Sequence, residues 1–189
     1  MFLPGAFIKD RLDGRLLALA VGREITRIIH SEEAADLDQR HSEIMKDLLP
    51  EAQPLPGAVE LLRDLREREI PYGIATSSKR DDLEEPLRKL SVRRDGAIVC
   101  ADDVKDAKPE PDLFVSCSER LGIPVANCFA IGDALWDMLA VQRAGMLGIG
   151  MMTGGIGRQR LVQAGAYRVY SSPVELHHNL FELGIEPAE

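Results

Sequence analysis

The sequence predicts an α/β fold, a parallel sheet with helices on both faces, preceded by a small helical unit. Two observations carry this. From Pro71 onward, short apolar runs alternate with helix-like stretches, the pattern of a parallel sheet whose crossover helices cover both faces. Residues 5–50 instead hold helical patterns and no convincing strand, and the proline-rich "PEAQPLPG" (50–57) separates the two regimes. The expected division is a helical unit over 1–53 and an α/β domain over 54–189.

In the first unit, Ser31 is placed to cap "SEEAADLDQRHSEIMKDLL", and Glu32 and Glu33 suit the positive end of a helix dipole. Ala34, Leu37, Ile44 and Leu48 follow near helical spacing. After the hinge, a helix starts near Pro56. The strand candidates are "YGIAT" (72–76), "AIVC" (97–100), "CFAIG" (128–132), "LGIGM" (147–151) and "YRVY" (167–170). Between and after them, helices are expected over 79–90, 111–121, 135–144, 156–164 and 173–183. Pro111 suits a first helical turn, where its missing N–H costs nothing.

Composition narrows the functional classes. Hydrophobic residues make up 45% and charged residues 29% of the 189 positions, an ordinary globular balance. The formal net charge of -8 repels a nucleic-acid backbone. No apolar run approaches the roughly 20 residues of a membrane span, and "MFLPGAFIKD" lacks the basic start and apolar core of a signal peptide. Cys100, Cys117 and Cys128 are odd in number and show no CxxC spacing, which reads as buried reduced thiols in a cytoplasmic protein. Nothing in the sequence specifies an oligomeric state.

Ligands of open parallel sheets collect at the carboxyl ends of the strands, and three features fall there. Thr76 ends a strand and is followed by Ser77 and Ser78, whose hydroxyls and free N–H groups can bind phosphate or simply cap the next helix. Lys108 precedes Pro109 in "DAKPEPD", which holds it in an extended loop where its charge can meet a phosphate or only water. Asp133 and Asp137 sit four residues apart in "IGDALWDMLA" at a strand-to-helix turn. Such carboxylates hold a hard cation, or alternatively cap a helix and face solvent.

Taken in order, "ATSS", "KPEPDLF" and "IGDALWDMLA" resemble the second, third and fourth motifs of the haloacid dehalogenase-like hydrolase superfamily. The resemblance covers nearly all of residues 54–189, beginning with "PLPGAVELLRDL". Residues 5–50 resemble the helical cap of the phosphoglycolate-phosphatase-like and phosphosugar-phosphatase-like branch. The resemblance implies a Rossmann-like core and a phosphatase of small phosphorylated metabolites that uses Mg2+ and an aspartyl-phosphate. On this chain it implies that Thr76, with Ser77, binds the phosphoryl group and that Lys108 offsets its charge. Asp133 would hold magnesium, Asp137 would support that metal site, and Gly132 would leave room for the turn.

One part of the family pattern is absent. Members of the family begin with a strand ending in Asp-x-Asp-Gly-Thr, whose first aspartate is the nucleophile, and this strand lies at the centre of the sheet. "ADLDQRH" offers Asp36 and Asp38 at the right separation, but in a helical pattern with no Gly-Thr. "KDRLDGRLL" offers Asp10 and Asp13 before Gly14, with the spacing off by one and Arg15 in place of threonine. The expectation is a first sheet strand that is missing, an opening "MFLPGAFIKD" that already belongs to the cap, and an N-terminally truncated chain inactive by itself. The alternative is a non-catalytic relative that binds a ligand or partner. Haloacid dehalogenation needs no magnesium, and the Asp133/Asp137 pair speaks against it. Lys9, Arg11 and Arg15 could meet an anionic substrate, "GGIGRQRL" (154–161) reads as the turn into a helix, and His177 and His178 receive no role.

Overall fold

In the computed structural model, residues 52–92 and 96–185 are described, together with Phe2–Leu3, Ile8–Lys9 and Arg40. A six-stranded sheet is built from β1 (Phe2–Leu3), β4 (Gly73–Ala75), β5 (Ala97–Val99), β6 (Phe129–Gly132), β7 (Leu147–Met151) and β8 (Ala166–Tyr170), in the order β5-β4-β1-β6-β7-β8. The pairs are parallel throughout. β2 (Ile8–Lys9) and β3 (Gln53–Pro54) form a separate two-stranded sheet. The helices among the described residues are α1 (Ala58–Glu67), α2 (Glu84–Lys89), α3 (Asp112–Leu121), α4 (Leu135–Ala144), α5 (Arg158–Gln163) and α6 (Pro173–His178).

The layering follows from the two-residue period of a strand. On β4, β5 and β6, neighbouring residues enter different cores. Ile74, Ile98 and Ile131 join one cluster with Leu61, Leu62 and Leu65 of α1 and Leu176 of α6. Ala75, Val99 and Ala130 join the other with Leu113, Phe114 and Cys117 of α3 and Ala140 and Val141 of α4. On α1 the buried Ala58, Leu61, Leu62 and Leu65 follow the 3.6-residue period. Cys100, Cys117 and Cys128 are free and buried in these cores.

The strand runs from "YGIAT" to "YRVY" match β4 to β8, with ends that differ by a residue or two. The helix expected over 79–90 is broken into a 3-10 turn at Arg80–Asp82 and the shorter α2. Pro86 in the first turn of α2 has no N–H to join a longer hydrogen-bonded ladder. The helix expected over 173–183 stops at His178 and continues as a 3-10 turn, Leu180–Leu183. There, the Asn179 side chain donates to the Glu175 carbonyl at 2.7 Å.

The centre of the sheet corrects one expectation. Its place is held by Phe2–Leu3, which pair Phe2 with Gly73 and Leu3 with Ile74 on one side and Phe2 with Ala130 on the other. The opening of the chain therefore contributes to the sheet. Two apolar residues ahead of a proline fall below the four-to-eight-residue run that identifies a strand in sequence. The chain divides into two compact units, Met1–Ile8 with Pro54–Glu189 and, separately, Lys9–Gln53. The cap helices expected over 5–50, with Ser31, Asp10, Asp13, Arg11, Arg15, Asp36 and Asp38, lie outside the described residues, as does the side chain of Lys9.

Candidate active site

Four loops at the carboxyl ends of β4, β5, β6 and β7 carry the polar residues of interest. Because the strands are parallel, these loops leave the same edge of the sheet.

Thr76 follows β4 directly and is buried, with 3% of its surface exposed. Its N–H donates to the Val99 carbonyl at 2.9 Å, so the backbone continues the sheet ladder one residue past the strand. Its Oγ1 accepts the Ser78 N–H at 3.1 Å. The hydroxyl proton remains for another acceptor. Ser77 and Ser78 are exposed. Thr76 and Asp133 follow the two strands that flank β1. Two strand spacings put them about 10 Å apart.

Lys108 lies in the segment between β5 and α3, and its peptide bond to Pro109 is cis. The ammonium donates to Asp137 Oδ1 at 2.7 Å, and the side chains are only 13% and 4% exposed. It also lies 5.9 Å from the centre of the Phe114 ring. A buried ion pair of this kind keeps its partners fixed, because removal of either leaves an uncompensated charge.

The turn from β6 into α4 is built around Asp137. Its Oδ2 accepts the N–H groups of Asp133 and Ala134 at 3.1 and 3.0 Å. Ala134 has no side-chain oxygen to cap the helix, so Asp137, at the third helical position, supplies the acceptor instead. Gly132 is required by this closeness, because a Cβ there would fall 2.3 Å from Asp137 Cβ. Both oxygens of Asp137 are thus engaged by the protein. Asp133 differs. Thr153 donates its hydroxyl to Asp133 Oδ2 at 3.3 Å, and no side chain among the described residues donates to Oδ1. Burial first, and the neighbouring Asp137 charge second, push the Asp133 carboxyl up to about 6, against the opposing pull of Lys108 and of the Thr153 hydroxyl.

A half-buried carboxylate with one oxygen free of side-chain donors and a second carboxylate beside it is suited to a hard cation. Asp133 fits magnesium in that sense, as one ligand of a set completed by substrate oxygens and water. Among the described residues, no cluster of three or more His, Cys, Asp or Glu side chains could enclose a metal without such help. A cavity of about 430 Å³, lined by Tyr72, Gly73, Ala97, Arg66 and Arg120 among others, lies instead at the amino ends of β4 and β5.

Two contributions escaped the sequence. Thr153, in the loop after β7, reaches Asp133; a threonine and two glycines directly after a strand were its only signal. The second is a clamp on the Thr76 loop. Asp102 accepts the Arg80 N–H at 2.7 Å, Asp103 pairs with the Arg80 side chain at 2.5 Å, and Ala101 N–H donates to the Ser78 carbonyl at 3.1 Å. The carboxyl of Asp103 stays far below the usual carboxylate range. Burial opposes this, and hydrogen bonds from Cys100, Arg120 and Arg80 outweigh it. The His177 imidazole lies 3.0 Å from Asp64, on helices away from these loops.

Comparison with known proteins bears on the family and the fold. The family model described as haloacid dehalogenase-like hydrolase matches residues 12–145. The validoxylamine A 7'-phosphate phosphatase of Streptomyces hygroscopicus subsp. limoneus is 32% identical over 106 residues, 56% of this chain and 50% of that protein. The fructose-1-phosphate phosphatase of Escherichia coli (strain K12) is 33% identical over 119 residues, 59% of this chain and 62% of that protein. A hydrolase structure from Pseudomonas syringae superposes with a TM-score of 0.79 at 37% identity, covering 88% of this chain and 77% of that one. The matched stretch spans 50% and 62% of the lengths of the two curated phosphatases named here.

Proposed function

Because the chain belongs to the haloacid dehalogenase-like hydrolases, we propose that it provides the phosphate- and metal-binding core of a magnesium-dependent phosphatase acting on a small phosphate monoester. The observation that carries this is the linkage of Lys108 to the Asp133 turn. One Asp137 oxygen holds the ammonium at 2.7 Å, while the other holds the backbone N–H of Asp133 at 3.1 Å. A cation and an open carboxylate are thereby fixed against each other at the sheet edge. The relatives named for fructose-1-phosphate and for a phosphorylated validoxylamine support a small phosphorylated metabolite as substrate.

In the proposed chemistry, Thr76 donates its hydroxyl to a phosphoryl oxygen, and the exposed Ser77 adds to the same cradle. Lys108 carries three N–H donors, of which one is used on Asp137, so the others meet the phosphate. Asp133 holds the cation through its open oxygen, and Asp137 orients both Lys108 and the Asp133 backbone. When bound, magnesium offsets the phosphate's negative charge as an attacking oxygen approaches. The attack itself needs a carboxylate aligned with phosphorus: the carboxylate–phosphorus bond forms, the ester P–O bond breaks, and water then releases phosphate from the acyl phosphate. Thr76, Lys108, Asp133 and Asp137 do not supply that carboxylate. The residues that follow β1 in sequence are Pro4, Gly5 and Ala6, and residues 1–189 contain no Asp-x-Asp-Gly-Thr. We therefore expect this chain by itself to bind phosphate and metal without turning over.

A titration of orthophosphate, followed by 31P NMR line broadening with magnesium present, tests the binding half. The parent chain should bind, and Lys108→Ala and Thr76→Val should each weaken binding tenfold or more. Equal binding by Lys108→Ala would remove the assignment.

A further inference from the structure

The loop after β7 enters the site from a direction the recognised motifs do not cover. Thr153 belongs to the 3-10 turn Met152–Gly154 that directly follows β7. β7 is the neighbour of β6, so this loop and the Asp133 turn leave adjacent strands at the same edge. The Thr153 hydroxyl donates to Asp133 Oδ2 at 3.3 Å. Gly154 backs the same carboxylate: a Cβ at this position would fall 2.6 Å from the Asp133 carbonyl oxygen, 2.8 Å from Asp133 Cγ and 2.9 Å from Oδ2. No real Cβ tolerates the first of these contacts, because the atom it meets is backbone. The glycine therefore permits the approach, and the threonine uses it.

We propose that Thr153 and Gly154 form a positioning pair that fixes the rotamer of Asp133, turning Oδ2 toward the β7 loop and leaving Oδ1 to face a divalent cation. This rests on the metal-dependent reading given above and deepens it. A carboxylate side chain turns freely about two bonds unless something holds it. Here the only side-chain donor to the carboxylate among the described residues is the Thr153 hydroxyl. Outer partners of this kind orient metal-binding carboxylates, and their loss typically lowers metal affinity by about 10–100-fold. Asp137 holds the backbone of Asp133, and the β7 loop holds its side chain, so the two constraints act on different bonds.

The test is a Mn2+ titration of the full chain, read by water-proton relaxation, alongside thermal melting of each variant. Thr153→Val keeps the shape and removes the donor, and it should weaken Mn2+ binding about 10-fold or more with little change in melting. Thr153→Ser keeps the donor and should stay within about threefold of the parent. Gly154→Ala should also weaken binding, because the added methyl displaces the loop or the carboxylate. Parent-level binding by Thr153→Val or Gly154→Ala would overturn the positioning pair while leaving Asp133 as a ligand. Absence of Mn2+ binding by the parent chain would overturn the metal-dependent reading and the pair with it. If Thr153→Val does not fold, weakened binding by Gly154→Ala with retention in Thr153→Ser upholds the proposal, and parent-level binding by Gly154→Ala refutes it.

Discussion

Asp133 and Asp137 are the same side chain four residues apart, and their surroundings divide them. Asp137 is buried, paired with Lys108, and accepts two backbone N–H groups. Truncating it to alanine strands the ammonium and frees both amides, so Asp137→Ala should cost about 3–5 kcal/mol in urea unfolding. Asp137→Asn keeps an acceptor for the amides and should cost less. Asp133 carries the opposite sign. Burial and the Asp137 charge raise its carboxyl to about 6, above its value in an unfolded chain. The folded state then holds the extra proton between roughly pH 4 and 6, and stability falls as pH rises through that window. Asp133→Asn removes this cost. The variant should be more stable than the parent by about 1–2 kcal/mol at pH 8, a value reduced for remaining solvent contact, and no more stable near pH 4. Paired unfolding curves at the two pH values measure it. A variant less stable than the parent at pH 8 would show that Asp133 is not held against its charge.

At the scale of elements, the turn between β6 and α4 is the most constrained part of the site. Gly132→Ala would push a methyl to 2.3 Å from Asp137 Cβ. It should destabilise the fold by about 1–3 kcal/mol, and it should also weaken phosphate binding, because Asp137 carries Lys108. An effect on stability alone would show that the turn can shift without disturbing the lysine. This turn was legible in sequence because its chemistry is local: an apolar strand, a glycine, and two carboxylates one helical turn apart. β4 to β8 were legible for the same reason, as short apolar runs bounded by turns. What was not legible depended on partners distant in sequence. Thr153 is 20 residues from Asp133 and meets it only because β6 and β7 are neighbours. The Arg80 contacts with Asp102 and Asp103 join two loops about 22 residues apart. Phe2–Leu3 took the central place without any periodicity to announce it, since a two-residue strand has none.

At the scale of the molecule, the sheet brings the residues into relation. The order β5-β4-β1-β6-β7-β8 puts the strand ahead of Thr76 and the strand ahead of Asp133 on either side of β1. The place between them is the one from which a carboxylate could reach a phosphoryl group bound, as proposed, by Thr76 and Lys108. The core that supports this edge is continuous with it: Phe114 is fully buried, lies beside Lys108, and packs with α4 and β6. Phe114→Ala should therefore cost about 3–5 kcal/mol. Its loss should be seen as a lower urea midpoint.

The proposed function assigns to this chain the binding half of a phosphoryl-transfer site without its nucleophile. A steady-state assay on p-nitrophenyl phosphate with magnesium tests it most directly. It would compare the parent chain, its Asp10→Asn and Asp13→Asn variants, and a chain in which residues 4–8, directly after β1, are replaced by an Asp-x-Asp-Gly-Thr segment. The parent chain should show no enzymatic turnover, and the chain carrying the replacement after β1 should show turnover that is lost on Asp133→Asn. Robust turnover by the parent chain, abolished in Asp10→Asn or Asp13→Asn, would overturn that assignment and locate the nucleophile within residues 1–189.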